Sequence, residues 1–336
     1  AQIGKLTTTQ VKLLDKDDIA ALSTSQVQGL STGLIASLTE TQMGALDSNA
    51  IGALTTKQVA ALGTTNIAAL TTTQVGGLES TDIGVLSTAQ VKGITATQIG
   101  VLNTTQENAL TPTQIGVFST TQVRGLDSLQ IGALTTRQVV ALTPTNIAAL
   151  TTTQVKGLES TDIGVLSTAQ VKGISATQIG VMTTIQVGGL TIVQIIVLST
   201  AQIAGLTADH LQHLSTKQVG GLTSEHIASL TTTQVSGLES THIGVLNTTQ
   251  IKGITATQIA ALSTDQEDGL TSVQIKVFTT GQVRGLTTTH IHHLSTKQVG
   301  GLTPAHITSL TTTQVAGLEA TDIGVLTTAQ VKGITA

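Results

Sequence analysis

The chain has 336 residues, of which 10% are charged and 1% aromatic, with a formal net charge of -4 and no Cys, Trp or Tyr. The lack of Cys excludes disulfides and thiolate chemistry, and the slight charge, with no basic run or interleaved aromatics, gives no support to nucleic-acid binding. No apolar run approaches the roughly 20 residues of a membrane span, so membrane insertion is not expected.

The amino end, AQIGKL, enters a repeat at once, and a signal peptide is not expected there. From Thr7 the sequence divides into 41 consecutive octads, closing at Ile334, without one insertion or deletion. Position eight is always Leu, Ile, Met or Phe, and position five is Val, Ile, Leu or Met in all but two octads. Odd octads carry Gln at position four every time, as at Gln10, Gln74, Gln154 and Gln314, with mostly Gly at position seven. Even octads have Ile at position five, except Leu211, and a variable position four. Above this 16-residue alternation lie 80-residue blocks at 71–150, 151–230 and 231–310, partial at both ends, in a single continuous array. Periodicity this strict means a solenoid or an array.

Within the first octads the grammar is that of a capped helix. Position one is Thr, Ser, Asp, Asn or Glu almost throughout, and the first four accept a free backbone N–H as an N-cap. Gln at position four is then the reciprocal partner of a capping box, and the aliphatics at positions eight and five form a hydrophobic staple. Pro112, Pro144 and Pro304 all stand at position two, the first helical position, where no N–H is needed. Gly at position seven suits a helix end that turns sharply. The fold class predicted is an all-α solenoid of very short capped helices, one per octad, laid in 16-residue two-helix coils. The alternative is a β-solenoid, since Thr, Val and Ile favour strands. Against it, positions five and eight have opposite parity, whereas one face of a strand repeats every second residue. Helices this short need neighbours to exist at all, and a core of small contacts points to further burial by self-association, end-to-end or lateral.

Further along, Glu107 replaces the aliphatic of position five, followed by Phe118 and Arg124. The set returns as Glu267, Phe278 and Arg284, while Val187 keeps the aliphatic in the block between. Two readings stand: a stacked Glu–Arg pair between coils, or a docking patch for another chain. One carboxylate without a plausible base is poor material for acid-base catalysis. All eight histidines lie beyond residue 200. In two-octad coils His210, His226 and His242 form a column, and His210, His213, His226, His290, His293 and His306 are the candidate metal ligands. Apart from that, no cofactor is expected.

The running phrase LTTTQVxGL, with LSTAQV and ITATQIG, resembles the LTTxQ[IV]xxL arrays of very large bacterial surface or secreted proteins, often labelled adhesin-like or haem-utilisation-like. The resemblance covers essentially the whole chain and implies a location outside the cell or on its surface. The sequence carries no haem-ligand arrangement, nucleophile elbow or phosphate-cradling loop. The expected role is a structural rod, stalk or filament rather than an enzyme, with itself as partner and any other surface partner unknown. The alternative is a repeat-based binding module for glycan, protein, metal or ice.

Overall fold

The computed structural model describes residues 3–334. A short 3-10 turn, Ile3–Lys5, is followed by one helix per octad, from Thr8–Leu13 to Thr328–Val331, and no strand occurs among the described residues. The predicted all-α solenoid of short capped helices is the observed fold. Most caps follow the predicted chemistry; Gly63 and the Glu caps, such as Glu79, give no side-chain cap bond, and the helices with Leu34 and Ala50 at position four have no capping box. At Thr71, the hydroxyl accepts the Gln74 N–H at 3.2 Å, and the Gln74 side-chain oxygen accepts the Thr71 N–H at 2.7 Å. Pro112, Pro144 and Pro304 each open their helix. The helix stops because position eight adopts extended backbone, as at Leu78 (φ -66, ψ 139), while its N–H bonds back to position five.

The chain falls into two compact units, residues 1–173 and 174–336. In the first, Ser48–Gly52 packs on Thr72–Gly77, and Ser80–Val85 packs on both Thr56–Ala61 and Thr104–Ala109. In the second, Ser224–Ser229 packs on Thr248–Gly253 and Ala256–Ala260 on Thr280–Gly285. The stacked partners are therefore three octads apart, and the 16-residue two-helix coil is corrected. Side-chain bonds described below reach back four octads, as from Gln122 to Val91. One turn thus takes between three and four octads, and each helix straddles the junction of two helices in the turn beneath. Because a stride of three is odd, every odd octad stacks on even ones. The 16-residue alternation records complementarity between turns and does not mark the length of a turn.

Positions five and eight line the interior, where Val123, Ile131 and Val139 are completely buried. Glycine at position seven has a different reason from the one predicted. No described residue, glycine included, has a positive φ. What the position demands is space. A Cβ on Gly77 would lie 2.6 Å from the carbonyl oxygen of Ser48, and one on Gly125 would lie 2.9 Å from both the Cα and carbonyl carbon of Ala96, three octads back. Backbone cannot swing aside as a side chain can. Ala at 61, 109 and 141 shows that some turns accommodate a methyl group. Gly125→Ala should lower the stability of unit 1–173 by about 1 to 3 kcal/mol, while Gly76→Ala, where a Cβ meets nothing within 4 Å, should be neutral or stabilising. Denaturant unfolding of the two variants checks this, and equal effects would refute the packing account.

Candidate functional site

The feature repeated most often is a clasp built on the position-four side chain. In the helix Thr120–Gly125, Ser119 Oγ accepts the Gln122 N–H at 3.1 Å and Gln122 Oε1 accepts the Ser119 N–H at 2.8 Å. The amide nitrogen of the same Gln donates to the carbonyls of Val91 at 2.7 Å and Ile94 at 2.8 Å, positions five and eight of the octad four earlier. One side chain therefore caps its own helix and ties down the end of another. In unit 174–336, Gln282 does the same with Thr279, Ile251 and Ile254. The last carbonyls of a helix have no partner within it. Here the Gln amide gives Ile94 O its partner and adds a second bond to Val91 O, which already accepts the Ile94 N–H, so the cost of leaving a buried acceptor bare is avoided. Sequence reasoning found the capping box and missed the second half of the clasp. The available signal was that every odd octad has Gln and none has Glu, although either residue completes a capping box.

The cap–x–x–Gln phrase carries the family. A family model described as the ALTTAQ repeat matches residues 12–48, 35–72, 43–80, 75–112, 112–144, 155–192, 235–272 and 275–312, together nearly three-quarters of the chain. The chain belongs to the ALTTAQ repeat family. No curated protein matches it.

In these ALTTAQ repeats the even octads show what the clasp tolerates. Asn146 has a shorter arm and donates once, to Phe118 O at 3.1 Å. Asp82 and Asp162 retain the cap bond, to the N–H of Glu79 at 3.2 Å and of Glu159 at 3.0 Å. Burial raises both carboxyls above the usual carboxylate range; the bond from the cap N–H opposes this, and the neighbouring Glu79 or Glu159 adds to it. An ionised Asp has no proton to give to the turn below.

Histidine fills position four in five ALTTAQ octads of unit 174–336, and it keeps the cap bond and one of the two inter-turn bonds that Gln makes. His226 Nδ1 accepts the Thr223 N–H at 3.2 Å and its Nε2 reaches Leu198 O at 2.8 Å. His210, His290 and His306 make the same two bonds to Thr207 and Met182, Thr287 and Leu262, and Thr303 and Phe278. Both ring nitrogens are thus committed to backbone. His213 Nδ1 meets Asp209 O at 2.8 Å, and His293 lies exposed beside His292. The six candidate ligands are not brought together, and no group of three or more potential metal-holding side chains occurs among the described residues. These histidines are structural donors and acceptors, and the column predicted for them dissolves with the two-octad coil.

The Glu–Arg pairs do not form either. Arg124 Nε donates to Ala149 O at 3.0 Å, three octads ahead, and Arg284 Nε donates to Ser309 O at 3.0 Å. Glu107 and Glu267, each 1% exposed, stand in the core with neither carboxylate oxygen hydrogen-bonded. Burial raises Glu107 to about 7, with Asp127 adding to the rise. The Gln130 amide, already given to Ile99 and Leu102, lowers it slightly without bonding to it. Burial, helped by Asp268, raises Glu267 to about 8. Phe118 and Phe278 are buried position-eight core residues. The arginines bridge turns through backbone, so the stacked ion pair is replaced by two unrelated contacts.

Proposed function

We propose that this ALTTAQ array is a structural spacer, an extracellular or cell-surface rod or stalk of bacterial origin that does no catalysis and associates with copies of itself. The observation that carries the reading is the Gln clasp. Its atoms and distances recur along each unit, so the chain invests in propagating one joint and not in shaping one pocket. A surface depression of about 530 Å³ lies between stacked helices at Leu78, Glu79 and Asn103 and has no cluster of titratable groups. Leu129, Ile185, Val193 and Val273 stand exposed at position three of their octads, where Thr is usual, and supply apolar contacts for a second copy. No described helix is long and apolar enough to cross a membrane.

A spacer's length scales with its repeats. Deleting residues 71–150 in register should leave a folded protein whose largest dimension is shorter by roughly 20 to 33 Å, taking about 8 to 10 Å per stacked helix. Small-angle scattering of the two proteins checks this. A deletion that unfolds the chain, or that leaves the dimension unchanged, would remove the spacer reading. Sedimentation at rising concentration tests the self-association, and a monomer throughout would refute that part.

A further inference from the structure

We propose that the position-four histidines make unit 174–336 acid-labile: protonation of His210, His226, His242, His290 and His306 breaks the Nδ1 half of five helix caps, loosening this unit in a way that Gln at the same positions would not.

The geometry fixes the tautomer. In each ring Nδ1 lies 3.1 or 3.2 Å from the N-cap backbone N–H, so it must be an acceptor. Nε2 lies 2.8 or 2.9 Å from a carbonyl oxygen, so it must carry the proton. The neutral Nε2–H form serves both. A proton added to Nδ1 sets two donors face to face, and the cap N–H loses its acceptor inside a packed turn. The five rings are between 3% and 4% exposed, so a charge added to them is desolvated. In unit 1–173 position four holds Gln, Asn, Asp, Leu or Ala and no His.

The charged surroundings do not uniformly oppose protonation or favour it. His210 shares its helix with Asp209 and His213, and the helices packed on it, Thr184–Gly188 and Thr232–Val235, bring no charge. His226 has Glu225 on its own helix and Lys252 on a packed one. His242 has the cap Glu239, Lys217 on one packed helix, and Asp265, Glu267 and Asp268 on the other; the helix supplying its carbonyl adds Asp209, His210 and His213. His290 meets the same three acids and its own His292 and His293. His306 faces Arg284 on a packed helix and Lys276 on the helix supplying its carbonyl; burial lowers its pKa below the ordinary value, while the bond to Phe278 O works the other way. Burial of the ring therefore resists charging, and forced charging at low pH is disruptive. Glu267 acts in the opposite sense, since uptake of a proton by its buried carboxyl favours the fold.

The test compares wild type with the fivefold variant His210→Gln, His226→Gln, His242→Gln, His290→Gln and His306→Gln at each pH, so that Glu267 and all other groups cancel. Hydrogen-exchange protection factors, corrected for intrinsic rates, are measured for both full-length chains between about pH 7.5 and 5, where an ordinary imidazole changes charge. The expected result is that the wild-type to variant protection ratio in residues 174–336 falls at least tenfold on acidification while that in 1–173 stays flat. A constant ratio in 174–336 overturns the proposal, as does an equal fall in both units. Should the fivefold variant not fold, His226→Gln alone is read at the helix Ser224–Ser229 under the same criteria, with at least a twofold fall expected and no change overturning it.

Discussion

Glu267→Val should stabilise unit 174–336 by roughly 2 to 5 kcal/mol at pH 8.5, and the gain should shrink as the pH falls towards 5. Val187 shows the position with its ordinary occupant in the block between. In the wild type the carboxyl is raised from 4.5 to about 8 in the folded state. A raised acid binds its proton more tightly folded than unfolded, so its contribution is fully present below about pH 4.5 and is lost as pH rises to about 8. A shift of this size corresponds to about 5 kcal/mol at most. Glu107, raised only to about 7, should lose its contribution over a narrower window in unit 1–173. Denaturant unfolding followed by hydrogen exchange in each unit, at several pH values, gives the profile. A wild-type stability that does not decline between pH 5 and 8.5 relative to Glu267→Val would show that the carboxyl is solvated or paired after all.

The second large effect is expected at the clasp itself. Gln122→Glu keeps the size of the side chain and an oxygen for the Ser119 N–H, but removes both donors to Val91 and Ile94. Ile94 O loses its partner and Val91 O is left with the Ile94 N–H alone, the bared acceptor costing about 1 to 3 kcal/mol, and a carboxylate is pressed against both. The expected loss is about 3 to 6 kcal/mol in unit 1–173 at neutral pH. It should be smaller at pH 4 to 5, where the carboxyl regains a proton and can donate once. Gln122→His should cost far less, because at five sites in the other unit His keeps the cap bond and the donor to the position-eight carbonyl, giving up only the second bond to position five. If Glu and His variants are equally destabilised, or if Glu costs under about 1 kcal/mol, the inter-turn bonds are not what holds the stack.

The helix per octad, its caps and the place of each proline were legible because all of these are local: they depend on backbone groups within four residues of one another. The number of octads in a turn was not. That depends on which carbonyl a Gln amide reaches 28 or 31 residues away, and a repeat of identical octads offers every distance in multiples of eight. The odd–even alternation was visible at once, yet it suggested pairs along the chain where the structure has complementary surfaces between turns. Glycine at position seven was given the wrong reason, since a sharply turning helix end and a close backbone approach favour the same residue. The histidines and the Glu–Arg sets were paired by assuming the two-octad coil, so their partners changed when the stride did.

The staggered stacking has a mechanical side. Masonry laid in running bond has no continuous vertical joint, and a crack must turn at every course. Within each unit a helix lies across two helices of the turn below, pinned to one by its amide and to the other by glycine contact. A force pulling on the chain therefore finds no plane along which single octads peel away one by one. It must part a clasp and a close-packed seam together, so resistance should come in steps of a turn and not of a repeat.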